Sequence, residues 1–259
     1  MVLFALSTRA TTALMRSRYA HRSLAADSRP VAMTGETTVG AVTGVAELRK
    51  EYSRKGISDE DVDSITDPID FFSSWFAEAC KSSILEPNAM CLSTSSDNKP
   101  SSRMVLMKEI DRRGVVWYTN YNSRKSCELL SNPYAATTFW WGELERSVRI
   151  EGAVERVAAE ESDRYFSSRP RSSQIGAWSS YQSSEVTSRI ELEQQQQAVE
   201  DRFRDPLVPV PRPPHWGGFR LVPARIEFWK GRESRMHDRI VFERTEEGGT
   251  QWSKKRLQP

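Results

Sequence analysis

The residues best suited to chemistry lie between Glu227 and Phe242, in the run E-F-W-K-G-R-E-S-R-M-H-D-R-I-V-F. Lys230, Arg232, Arg235 and Arg239 stand there with His237 and Trp229, between two apolar β-type runs. A core element does not carry so many charges, because burying them unpaired is costly. A solvent loop is not flanked by Ile226, Phe228, Ile240, Val241 and Phe242. The pattern predicts two strands and a short connection, with cationic and imidazole groups converging where the strands end. Such a place suits an anionic, planar ligand. Taken alone, the stretch fits an ordinary charged hairpin equally well.

Three further groups carry similar chemistry. Arg124 and Lys125 fall in the first turn of a helix expected to open at Asn122 or Ser123 and to end before Pro133. The helix dipole disfavours cations there. An anion on the free N–H groups removes the conflict; solvated surface charge is the plain alternative. Tyr165 and Arg169 are four residues apart on a short helix expected over 160–168, and Ser173 follows Pro170. A phenol, a guanidinium and a hydroxyl make a clamp for phosphate. Arg103 and Lys108 lie in an otherwise apolar strand expected over 101–110, so each requires an anionic partner.

The elements that must position these groups are mostly strands. Asp67-Pro68 opens a helix whose Ile69, Phe72, Trp75 and Ala79 recur at helical spacing. Strands are expected at 89–94, 101–110 and 115–120, joined by tight turns as an antiparallel meander. Two more follow at 134–141 and 146–157, with Ser147, Arg149 and Glu151 on one polar face. Residues 184–204 read as a glutamine-rich surface helix, and 206–214 as a proline-rich connector. Strands at 219–229 and 240–242 and a last one to Leu257 complete a mainly β (α+β) chain: an antiparallel barrel with helices packed around it.

Several function classes are excluded. No G-x-G-x-x-G, Walker or G-x-S-x-G motif occurs. The three histidines include His21 near the amino terminus, so no His-rich metal site is expected, and the three cysteines form no ligand-type pair. Net charge is only +2, which argues against nucleic acid. No run approaches the ~20 apolar residues of a membrane span. Hard chemistry therefore falls to a bound cofactor. Residues 1–26 have no Asp or Glu but have Arg9, Arg16, Arg18 and Arg22 among Ala, Ser and Thr. That is the composition of a transit peptide, mitochondrial or for another organelle; an untargeted tail and a cytoplasmic protein is the alternative. Residues 1–45 are set apart as presequence and 46–259 as one catalytic domain.

In order and spacing, seven blocks resemble the pyridoxine/pyridoxamine 5′-phosphate oxidase family. They are Arg103-Met-Val-Leu-Met-Lys108, Tyr118-Thr119-Asn120, Ser123-Arg-Lys125, Val148-Arg-Ile-Glu-Gly152, the run from Tyr165 to Gln174, Gln182-Ser-Ser184, and Phe228-Trp-Lys-Gly-Arg with Arg235-Met-His-Asp-Arg239. The resemblance covers roughly residues 48–259. It implies an FMN-binding split β-barrel and a homodimer with FMN at the interface. It also implies oxidation of pyridoxamine or pyridoxine 5′-phosphate to the aldehyde, with dioxygen as acceptor and hydrogen peroxide released. By the same resemblance Arg103, Met104, Val105, Leu106, Tyr118, Thr119, Arg124, Lys125, Ser147, Gln182, Ser183, Trp229 and Arg239 would hold FMN. Lys108, Tyr165, Arg169 and Ser173 would hold the substrate phosphate. Arg235, Met236 and His237 would meet the pyridine ring, with Arg235 and His237 the catalytic pair. Arg49 and Tyr52 match a segment that closes over the site in relatives. One departure stands out: the family usually has Gln where this chain has Ser147. A different substrate on the same fold, or a non-catalytic binder, are the rival readings.

Overall fold

The structure is a computed structural model that describes residues 51–52, 54–246 and 248–259. Arg49 and the basic stretch over 1–45 lie outside the described residues. A short helix α1 (Asp59–Ser64) is closed by a capping box between Ser58 and Asp61. Helix α2 (Pro68–Lys81) begins where Asp67 Oδ1 accepts from the Ile69 N–H at 2.7 Å, with Pro68 in the first turn. Its buried face carries Ile69, Phe72, Trp75 and Ala79. Phe72 packs on Phe139 and Trp141, and Trp75 on Phe228, so the helix covers the strands that carry them.

Strands β1 (Ala89–Ser96) and β2 (Lys99–Leu106) form a hairpin turned at Asp97-Asn98. Both turn residues have positive φ, which Asp and Asn tolerate best after glycine. The next strands are β3 (Glu109–Asp111) and β4 (Gly114–Asn120). Gly114 has φ 138°, and a Cβ there would sit 1.9 Å from the Leu221 carbonyl oxygen, so no other residue fits the turn. Helix α3 (Arg124–Ser131) precedes β5 (Tyr134–Trp141) and β6 (Arg146–Arg156). Helices α4 (Ala159–Ser168), α5 (Arg171–Ser179) and α6 (Arg189–Arg202) follow. Strand β7 (Trp216–Lys230) then leads to β8 (Asp238–Arg244) and β9 (Trp252–Leu257).

The ladders run β2-β1-β5-β6-β7-β4-β3, all antiparallel, with β8 also on β7 and β9 on β8. The expected meander is therefore corrected. Strands β2 and β4 are not neighbours: β2 and β3 occupy opposite ends of the order. The expected strand over 101–110 breaks at Met107-Lys108, where the Met107 N–H turns to Asn88 and the Lys108 N–H to Val116. The two ends of the sheet are thus joined by covalent chain rather than by a ladder. This is the split of a split β-barrel. Inside lies one apolar core built from α2 and the inward residues of six strands, among them Leu92, Trp117, Phe139, Ile150, Leu221, Phe228 and Ile240. A smaller cluster of Phe166, Phe203, Val210 and Trp216 lies under α4 to α6.

Candidate functional site

One cavity of about 770 Å³ gathers residues from β2, β4, α3, α4, α5 and the 182–183 loop. It is lined by Arg103, Met104, Val105, Leu106, Lys108, Tyr118, Thr119, Arg124, Lys125, Tyr165, Arg169, Ser173, Gln182 and Ser183, as well as Ser101, Ser102 and Pro170. Every residue that the sequence ascribed to phosphate binding is here. Lys125 is buried, and its ammonium donates to Gln182 Oε1 at 2.6 Å and Thr119 Oγ1 at 3.1 Å. Burial, and then the neighbouring Arg103 charge, pull its pKa down to about 8. Ser123 precedes α3 but makes no side-chain cap; Ser183 Oγ instead accepts from the Arg124 N–H at 3.2 Å. Ser183 holds φ 74°, a conformation disfavoured for any residue with a Cβ.

Glu128, buried, is the carboxylate that pairs with Arg103 and Arg124 of this cradle. Burial disfavours its charge, but hydrogen bonds from Thr94, Ser101, Arg124 and Arg103 outweigh that and hold its pKa at about 2. It thereby fixes the Arg103 and Arg124 guanidinium groups. On the opposite side, Tyr165 stacks on Tyr118 at 4.0 Å, and the Arg169 guanidinium lies 4.7 Å over the Trp216 ring. Arg169 Nη1 is buried with no hydrogen-bond partner among the described residues, and desolvation lowers the pKa of the group. A buried guanidinium N–H without an acceptor, beside Lys108, Tyr165 and Ser173, fits an anionic group entering this cavity.

The remaining site residues lie elsewhere in the chain. A groove of about 430 Å³ is lined by Ser147, Trp229 and Arg239 together with Thr138, Trp140, Arg149, Glu227 and Pro259. It shares no residue with the first cavity. Glu227 is buried yet kept ionised by Arg239, Arg149 and Arg225, whose hydrogen bonds and charges outweigh its desolvation. Arg239 donates to it at 2.8 Å. Beside the groove, Tyr52, Trp229 and His237 form one aromatic group with ring centroids 4.9 to 5.4 Å apart. His237 Nδ1 accepts from the Arg232 N–H at 3.1 Å, which leaves the ring proton on Nε2. Ser234 and Arg235 carry positive φ of 54° and 62° in succession, and Arg235 and Met236 point into solvent. Residues 232–236 therefore form a strained connection that presents its side chains outward, while Lys230 and Asp238 at the strand ends are buried. Among the described residues no group of His, Cys, Asp and Glu could hold a metal.

Known proteins place this geometry. The family model for pyridoxamine 5′-phosphate oxidase matches residues 76–203, and the model for the pyridoxine 5′-phosphate oxidase C-terminal dimerisation region matches 216–259. The pyridoxine/pyridoxamine 5′-phosphate oxidase of a Cyanothece species is 51% identical over 216 residues, covering 83% of this chain and 98% of that protein. The chain belongs to the pyridoxamine 5′-phosphate oxidase family. The Rubrobacter xylanophilus relative of the same name is 52% identical, over 85% of this chain and 99% of its own. Among solved structures, PhzG from Burkholderia lata in complex with tetrahydrophenazine-1-carboxylic acid is 30% identical, with a TM-score of 0.71 over 78% of this chain and 97% of that one. An FMN-binding protein from Nostoc punctiforme, at 13% identity, shares the fold with a TM-score of 0.59 over 75% of this chain and all of that one.

Sequence reasoning missed two residues that the structure places at the site. Glu128 was readable as the residue four after Arg124 on one helix face. Trp140 was readable as the residue opposite Ser147, once the β5–β6 connection is counted.

Proposed function

We propose that the chain is an FMN-dependent oxidase that converts pyridoxamine 5′-phosphate and pyridoxine 5′-phosphate to pyridoxal 5′-phosphate, with dioxygen as acceptor and hydrogen peroxide as by-product. The observation that carries this reading is the cavity that holds two separate anion-seeking groups. Arg103, Arg124 and Lys125 surround the start of α3, and Lys108, Tyr165, Arg169 and Ser173 line the other side. Two phosphate sites in one cavity suit a phosphorylated cofactor beside a phosphorylated substrate. FMN, when bound, supplies the redox chemistry. The chain's own residues orient: Lys125 and the α3 start fix one phosphate, and the clamp fixes the other. Arg235 and His237 Nε2–H approach the pyridine ring.

These last two lie on the segment matched by the dimerisation-region model, as do Trp229 and Arg239, which line the groove with Ser147. A homodimer in which one copy lends its groove to the other's cradle accounts for a site split between two cavities. The basic composition of residues 1–45 supports organelle targeting, which imaging of a fusion of those residues tests.

A second reading follows from PhzG, whose bound molecule is a tricyclic carboxylic acid: a flavin oxidase acting on a carboxylate. The experiment that decides is direct. FMN-loaded protein given pyridoxamine 5′-phosphate is expected to bleach anaerobically and, in air, to release peroxide and aldehyde. A loaded protein that does neither sinks the oxidase reading, and turnover of an unphosphorylated aromatic carboxylate alone establishes the second.

A further inference from the structure

The ladders set four side chains in a row across four strands. Trp140 of β5 faces Ser147 of β6, Ser147 faces Trp229 of β7, and Trp229 faces Arg239 of β8. Directly opposed residues share a face of the sheet. Because serine is short, the two indoles on either side approach each other, with centroids 5.9 Å apart at 45°. Trp140 is 56% exposed, whereas its neighbours Phe139 and Trp141 are at 0% and 1%. Its Nε1 donates to no group among the described residues. The ring edge lies on Gly142, where a Cβ would come within 3.0 Å of Nε1, so glycine there leaves room for the indole. Trp140 lines the same groove as Ser147, Trp229 and Arg239. A large aromatic ring held half in solvent, beside a second indole and an arginine, is equipped to contact a flat ligand.

We propose that Trp140 is a ligand-contacting residue of this wall: with Trp229 it presents two indoles to the flavin ring system, in the space that short Ser147 leaves. The proposal rests on the FMN reading above and names a contact that reading does not contain. Size exchange within the row is its central feature. A longer side chain at 147 and an indole at 140 compete for one space, so each residue sets what the other can be.

The test titrates apoprotein with FMN and follows quenching of flavin fluorescence. Trp140→Ala is expected to weaken binding about tenfold, the worth of one aromatic contact. Trp140→Tyr is expected to retain most of the affinity. Ser147→Gln is expected to weaken binding in the wild type and to recover part of the loss in the Trp140→Ala background. Lys125→Met serves as the control for a lost cradle contact. If Lys125→Met loses FMN and Trp140→Ala does not, Trp140 is away from the flavin and the proposal falls while the FMN reading stands. If Trp140→Ala shifts the monomer–dimer equilibrium but the remaining dimer binds FMN as tightly as wild type, Trp140 belongs to a subunit contact and the proposal falls. If the wild type takes up no FMN, both fall.

Discussion

The cradle and the groove are built on opposite electrostatic plans. Five cations line the cradle (Arg103, Lys108, Arg124, Lys125 and Arg169), and Glu128 pairs with two of them, Arg103 and Arg124. Lys125 and Arg169 have their charged forms disfavoured by burial, and Arg169 keeps an N–H with no acceptor. In the groove, Glu227 receives Arg149, Arg225 and Arg239 within 3.2 Å, and Glu151 and Glu243 balance Arg149 and Arg225 further. The groove is charge-balanced by itself, three arginines against three carboxylates, with Arg149 Nε held by Glu151 as an ion pair at 2.8 Å but without hydrogen-bond geometry; the cradle is charge-balanced only with anions in it. Site residues of one protein can thus be told apart by whether removing their charge hurts or helps the empty fold.

The largest effect expected lies on the hairpin beside the groove. Arg235→Ala is expected to cut turnover on the order of 100-fold, as a misplaced substrate does, while FMN retention changes little; equal loss of both would move Arg235 to the cofactor. Next comes stability, with opposite signs in the two regions. Glu227→Gln should destabilise by about 1.5–3 kcal/mol, because three arginines lose a charged acceptor; thermal melting reads it. Lys125→Met should raise the melting temperature of the ligand-free protein, and a drop would mean that the Lys125 charge does not burden the empty cradle.

A pH effect of the same origin follows. The folded-state pKa of Lys125, about 8, lies below its ordinary value of 10.5, so between these the unfolded chain holds more protons. Ligand-free stability therefore rises with pH across that window. Lys230, also near 8 through burial and then the charge of Arg146, adds a slope of the same sign. The difference between wild type and Lys125→Met isolates the cradle, and saturating FMN should flatten it. The smallest effect expected is from inorganic phosphate, which should stabilise the wild type and leave Lys125→Met nearly unmoved in the same melting assay.

Much of this was legible in the residues. Asp67-Pro68 marked the start of α2, Pro133 the end of α3, and the alternation around Val148 and Ile150 the two faces of β6. Helix α5 was not legible: its serines and Gly176 are weak helix formers. Packing decides it, through Trp178 donating to the Pro211 carbonyl at 2.7 Å and Ile175 against the second core. The break at Met107-Lys108 was hidden because the apolar alternation runs straight through it. For the site, residue types and order located the cradle. The separation of cradle from groove was not readable, since it depends on which strands become neighbours, and local pattern does not encode that.

The place of β7 has a consequence for how the protein is made. This one strand, from Trp216 to Lys230, is bonded to β4, β6 and β8. On a ribosome, β4 and β6 emerge long before it, each with an open edge towards the gap it will fill. A chain interrupted ahead of Trp216 would have two unsatisfied edges and no route to closing the barrel, which is the circumstance in which sheets pair with the wrong molecule. Quality control during synthesis is therefore expected to matter most in the interval between the completion of β6 and the arrival of β7.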